Sequence, residues 1–138
     1  MAALPASLRF LRYLYSASLG IIAVLALAGE TLLPAKSAAP PVIVNLLYAM
    51  AAADVFLVIF FRRRFSAPAL KILRDRPDDS AALVEWMKGQ FIPLPLALGI
   101  GLMGMASRVV GAPAVKAAPL YLVALALLVA FWPADPQA

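Results

Sequence analysis

Asp54 is the residue whose type and position could do chemistry. It interrupts the apolar run 42–61 within a turn of its midpoint, about 10 Å from the run's basic end at ~1.5 Å per residue. An aspartate at the centre of a membrane helix costs about 2.5–3.5 kcal/mol, so it belongs against protein or a wet cavity and not against lipid. Three chemistries fit such a group: a proton or cation site, a ligand to a bound cofactor, or an acid hydrogen-bonded to a neighbouring helix. Depth arithmetic puts Ser16, Ser18 and Gly20 of the first apolar run in the same layer, and Ser18 is the expected partner of Asp54.

Other polar residues mark helix ends. Glu30 and Arg108 fall at the same end of their runs, with Lys116 close by, and are expected to form an interhelical pair. If wet, such a pair contributes only about 0–1 kcal/mol. Asn45 lies nine residues before Asp54. At about 100° per residue that is the opposite face of the helix, where it either bonds a neighbouring backbone, bridges to another subunit or ligates a pigment. Ala97, Gly101 and Gly104 form a stripe of small residues, which lets helices approach closely in lipid. With Asn45, this stripe is expected to contact a partner. Gly99-Ile100-Gly101 lacks the strand, helix start and lysine of a phosphate loop.

The absences narrow the classes further. There is no histidine and no cysteine in 138 residues, which removes disulfides, thiol chemistry, zinc sites and iron–sulfur clusters. No nucleophile is flanked by a base, so no catalytic site is expected and the chain is read as not an enzyme. No cofactor held by His or Cys is expected, and the remaining bound species are lipid or pigment.

The elements that must position these residues are four apolar runs, about 11–29, 42–61, 91–110 and 115–132. Each approaches the ~20 residues of a bilayer crossing, and 64% of the chain is hydrophobic. The expected fold is therefore all-α: one domain of four transmembrane helices, residues 1–138. The first run, preceded by Arg9 and Arg12 and ending in Ala26-Leu27-Ala28-Gly29, imitates a signal peptide and is read as a retained helix. The net charge of +5 does not point to nucleic acid. Its Lys and Arg residues lie beside apolar runs, where the positive-inside rule places them. Arg9, Arg12, Arg62–Arg64, Lys71, Arg74, Arg76 and Lys88 stand on one side against Lys36, Arg108 and Lys116 on the other, giving a multi-pass protein with both termini and loop 62–90 cytoplasmic.

Within that loop, Arg62-Arg63-Arg64 is expected to end the second helix at the headgroups, and Ser66-Ala67-Pro68 to start a helix with a short turn through Leu70, Ile72 and Leu73. Pro77-Asp78-Asp79-Ser80 is a helix start. The following Leu83, Trp86 and Met87 form an apolar stripe, read as a short amphipathic helix lying flat on the cytoplasmic leaflet. Pro34, Pro40 and Pro41 break the chain before the second run, and Pro93, Pro95 and Pro119 fall early in the last two.

The stretch Leu73-Arg74-Asp75-Arg76-Pro77-Asp78-Asp79-Ser80-Ala81-Ala82-Leu83-Val84-Glu85-Trp86, with Gly104 and Arg108-Val109-Val110-Gly111, resembles small uncharacterised four-helix bacterial inner-membrane proteins. The resemblance covers about a third of the chain and implies topology, not activity. Two functions follow from the residues. The first is an accessory subunit of a larger energy-transducing complex, respiratory or photosynthetic, whose partners are membrane lipids and a larger membrane subunit. The second is a small oligomeric proton- or ion-coupled carrier or channel built on Asp54.

Overall fold

A computed structural model describes residues 3–32 and 40–136. Every regular element among them is helical. They are α1 (Ala3–Leu32), α2 (Pro41–Phe61), a π-helical turn (Arg62–Ser66), α3 (Ala67–Asp75), α4 (Ser80–Phe91), α5 (Pro93–Val109) and α6 (Ala114–Ala130). Three continuous helices are long and apolar enough to cross a membrane: Pro5–Leu32, Pro41–Asp75 and Ser80–Val109. The apolar α6 has 17 residues, about 26 Å at the helical rise. Pro34, Lys36 and Ser37 lie outside the described residues.

The helix boundaries differ from expectation around the arginines. Arg62–Arg64 does not end the second helix: arginine is a good helix former, and the backbone runs on to Asp75. The residue that disturbs the ladder is Pro68. It has no N–H to offer Arg64, four residues back, and its ring crowds that carbonyl. The chain answers one turn earlier by widening, so that the Ala67 N–H reaches the Arg62 carbonyl, five residues back.

Segment 62–90 is consequently not a loop. Nor is α4 a separate helix. Asp79 caps it, its Oδ1 accepting from the Ala82 N–H at 3.0 Å. At its other end Ile92 keeps helical angles (φ −59°, ψ −41°), so α4 continues into α5. Its apolar stripe turns toward its own chain. Trp86 is 1% exposed and packs with Leu8 and Leu11 of α1, Ala69 and Leu73 of α3, and Ala82.

The main core lies around α5, which packs against α1, α2 and α6. Tyr15, Ile22, Ala51, Val58, Leu94, Ala97, Ile100, Leu120 and Ala124 fill it. α1 also lies against α6. On α2 only Val44, Ala51 and Val58 are buried, one residue every two turns. Its other sides present Val42, Leu46, Met50, Phe56 and Phe60 outward. The chain after α6 folds back on α1: Arg12 Nε donates to the Pro133 carbonyl at 3.2 Å, and Trp132 meets the Tyr15 ring edge-on at 6.0 Å. The N-terminal half of α1, the π-turn with α3 and α4, and residues 131–136 thus share one end of the molecule, where most basic residues gather.

Gly89 sets how closely α4 approaches the π-turn. A methyl group there would lie 2.8 Å from Ser66 Cβ and 2.9 Å from its backbone nitrogen. Gly20 has nothing within 4 Å of the same position. Gly89→Ala is therefore expected to cost about 1–3 kcal/mol by overpacking, read as a lowered unfolding midpoint from tryptophan fluorescence in detergent. Gly20→Ala is expected to leave the midpoint unchanged or slightly raised.

Candidate functional site

Polar side chains gather at three levels along the bundle. Asp54 occupies the middle level, carried by α2 into the seam with α5. Its carboxyl is half-buried, and a methyl group built on Gly99 would stand 3.8 Å from its Oδ2. The structure does not bring Asp54 to Ser18. Ser18 is buried in the stripe it shares with Tyr15 and Ile22, which α1 turns toward α5 and α6. α5 stands between the two because it is the helix that packs against both α1 and α2. Depth alone placed Asp54 and Ser18 in one layer, but helix order around the bundle separates them. Among the described residues no hydrogen bond reaches the Asp54 side chain. Ser16 and Gly20 are exposed on α1.

The small-residue stripe also has a different role from the one expected. Ala97 is fully buried. A methyl group on Gly101 would meet Ile22 at 3.4 Å and Leu25 at 3.8 Å. One on Gly104 would press the Tyr121 ring at 2.9 Å. All three residues are buried within the chain, Gly101 against α1 and Gly104 against α6, so they are not open to a partner. The reason is the central position of α5, where close approach is needed on more than one side. Asn45 is exposed on α2, as an outward-facing residue should be, and no hydrogen bond among the described residues holds it.

The level opposite the basic end is built on Arg108. Its side chain is only 6% exposed and reaches across from α5 to α1. Nε donates to the Gly29 carbonyl at 3.4 Å and lies 3.6 Å from Glu30 Oε1, while Nη1 donates to the Ala112 carbonyl at 2.9 Å. The structure thus brings Glu30 and Arg108 together, with Glu30 the wetter partner at 37% exposed. Gly111 makes the turn out of α5 at φ 98°, a conformation that favours glycine. Tyr121 completes this level. Its ring fills the gap that Gly29 and Gly104 leave, and its buried hydroxyl has no hydrogen-bond partner among the described residues. Tyr48 donates from α2 to the Lys116 carbonyl nearby.

The third level, at the basic end, was not legible as a site. Arg62 Nη1 donates to the Phe131 carbonyl at 2.9 Å, and its guanidinium lies 4.7 Å from the centre of that residue's ring. Ser66 Oγ donates to the Trp86 carbonyl at 3.1 Å and accepts from Gln90 Nε2 at 3.4 Å. Tyr15 donates to the Gln90 backbone carbonyl at 2.6 Å. Gln90 Oε1 is buried with no partner among the described residues. The arginine run was visible in the sequence, but nothing in the spacing linked Arg62 to Gln90, 28 residues on. A glutamine that close to an apolar helix was the available signal.

Among the described residues, no three carboxylate, histidine or cysteine side chains converge as a metal site would require. No protein family, curated protein or solved structure matches the chain.

Arg108 and Glu30 are separable by mutation. Arg108→Leu removes charged donors from two buried carbonyls, an expected loss of about 1.5–3 kcal/mol. Glu30→Gln disturbs only the wet side of the pair and is expected to cost below about 1 kcal/mol. Urea unfolding in mild detergent ranks the two.

Proposed function

We propose that the chain is a four-span integral protein of a bacterial inner membrane that works as an accessory, non-catalytic subunit, docking through α2 onto a larger membrane protein. One observation carries the docking: Asp54 sits midway along an apolar helix, half-buried, with no hydrogen bond from the described residues of its own chain. Lipid offers no donor, and an unmatched polar group in hydrocarbon costs several kcal/mol. A neighbouring subunit that presents a hydroxyl, amide or basic group at this depth relieves that cost. Asn45, exposed on the same helix, presents a second polar group for such a contact.

The membrane reading is supported by the surface. α2 alone exposes Val42, Leu46, Met50, Phe56 and Phe60, an apolar face that a water-soluble monomer rarely shows. With α6 as the fourth span, the ends alternate. Both termini and residues 62–90 then fall on the cytoplasmic side, in keeping with the excess of Lys and Arg there.

The same carboxyl admits a second reading, a proton- or ion-coupled carrier in which several copies gather around Asp54. It is favoured by the partial exposure of Asp54 and by the absence of any nearby basic residue on α2 before Arg62.

Topology is tested in a chain with no native cysteine. Ser37→Cys is expected to react with a membrane-impermeant thiol reagent added outside the membrane, and Ser80→Cys to be protected; the reverse pattern inverts the assignment. Docking is tested by mild extraction and native mass spectrometry. The wild-type chain is expected to leave the membrane with a larger subunit, and redox or pigment proteins among its company would place it in an energy-transducing assembly. Asp54→Asn keeps a hydrogen-bonding group and is expected to keep the complex. Asp54→Leu is expected to weaken it by about 0.5–2 kcal/mol, a two- to thirty-fold drop in recovery. A wild-type chain that is monomeric under these conditions defeats the docking, and loss of proton flux into vesicles with Asp54→Asn favours the carrier.

A further inference from the structure

Just beyond the apolar part of α2, the π-turn, α4 and the chain after α6 enclose an open pocket of about 410 Å³. Its polar wall is Arg62, Arg63, Ser66 and Gln90, and its apolar wall includes Ile59, Leu70 and Phe131. A second groove of about 310 Å³ shares Ile59 and Arg63 with it and runs back along α2 past Phe56 and Phe60. We propose that this composite groove is a binding site for an anionic phospholipid, its phosphate held by Arg62 and Arg63 and an acyl chain laid along Phe56, Ile59 and Phe60.

Charge is the first argument. Two adjacent guanidinium groups line the pocket, and no carboxylate among the described residues pairs with either. Arg62 spends one donor on the Phe131 carbonyl, leaving four of the five a guanidinium carries. Arg63 is exposed and no hydrogen bond among the described residues engages it. A phosphate accepts from both and offsets their mutual repulsion. Basic pockets between helices on the cytoplasmic side are where anionic headgroups bind.

Shape selects lipid over a free anion. The arginines stand where the two cavities join, with Ser66 and Gln90 on one side of them and Phe56, Ile59 and Phe60 on the other, as the phosphate of a phospholipid stands between headgroup and chain. The π-turn is what arranges this, since it carries Arg62, Arg63 and Ser66 on one widened turn. Gln90 adds a preference within the class. Its buried Oε1 has no donor among the described residues while its Nε2 is held by Ser66, and a headgroup hydroxyl, as in a glycerol headgroup, supplies one.

This site rests on the membrane reading above but not on the docking through Asp54, and its test leaves topology and complex formation untouched. The delipidated full chain is titrated with phosphatidylglycerol, with phosphatidylcholine of the same acyl chains, and with glycerol 3-phosphate, and bound species are counted by native mass spectrometry. Phosphatidylglycerol is expected to bind at least about ten-fold more tightly than phosphatidylcholine, and glycerol 3-phosphate to bind no better than phosphatidylcholine. Arg62→Gln with Arg63→Gln is expected to abolish the preference. Because Arg62 also holds Phe131, Arg63→Gln alone provides a variant that breaks no hydrogen bond or ion pair among the described residues, with an expected loss of three-fold or more. Arg74→Gln with Arg76→Gln, at the same end but outside the groove, is expected to keep the preference. Equal binding of the two lipids overturns the site, and so does a preference that survives Arg63→Gln or is lost equally in the Arg74, Arg76 variant. Glycerol 3-phosphate bound as tightly as phosphatidylglycerol overturns the lipid and leaves a site for a free anion.

Discussion

The ring of Tyr121 lies in a gap made by two glycines, Gly29 on α1 and Gly104 on α5, and the three helices can meet only because neither glycine has a side chain. A methyl group on Gly29 would come 2.5 Å from the Tyr121 hydroxyl, and one on Gly104 would come 2.9 Å from the ring. One turn along, Gly101 faces Ile22 at a looser fit, 3.4 Å from where a methyl group would stand. In an apolar environment, contact between helices gains little from hydrophobicity and much from close fit. The packing of α1, α5 and α6 therefore depends on this run of small residues. Arg108 can reach the Gly29 carbonyl because the helices are already that close.

A comparable constraint governs the basic end. Gly89 lies against Ser66, so α4 and the π-turn touch almost backbone to backbone. That approach lets Ser66 bond the Trp86 carbonyl and Gln90, while Trp86 seals the second core between α1, α3 and α4. Pro68 forces the wide turn, and the turn sets Arg62 against Phe131. The arginines thereby become part of the fold as well as its most basic surface.

α2 is the exception to this close packing. It buries only one residue in seven and carries two polar groups, Asn45 and Asp54, that no hydrogen bond among the described residues reaches. A helix held so lightly can keep its large outward face for lipid or for another protein. Its support is α5, which packs tightly with α1 and α6.

Much of the helical layout was legible from residue types alone. The apolar runs, the Asp79 cap, the proline positions and the gathering of charge at one end all follow from local rules, because backbone hydrogen bonding and hydropathy act within one segment. Glu30 and Arg108 could be paired from sequence because both close their helices at the same end. What the tertiary structure decided was which helix stands beside which. α2 is apolar on every side, so no stripe in its sequence says which face is buried, and depth alone set Asp54 beside Ser18. The small residues of α5 announced a close contact but not its owner, since Gly101 and Gly104 suit a neighbour from the same chain as well as one from another. The continuation of α2 past the arginines and the turning of Trp86 inward depend on contacts between segments far apart in sequence. A pattern read one helix at a time carries no term for those contacts.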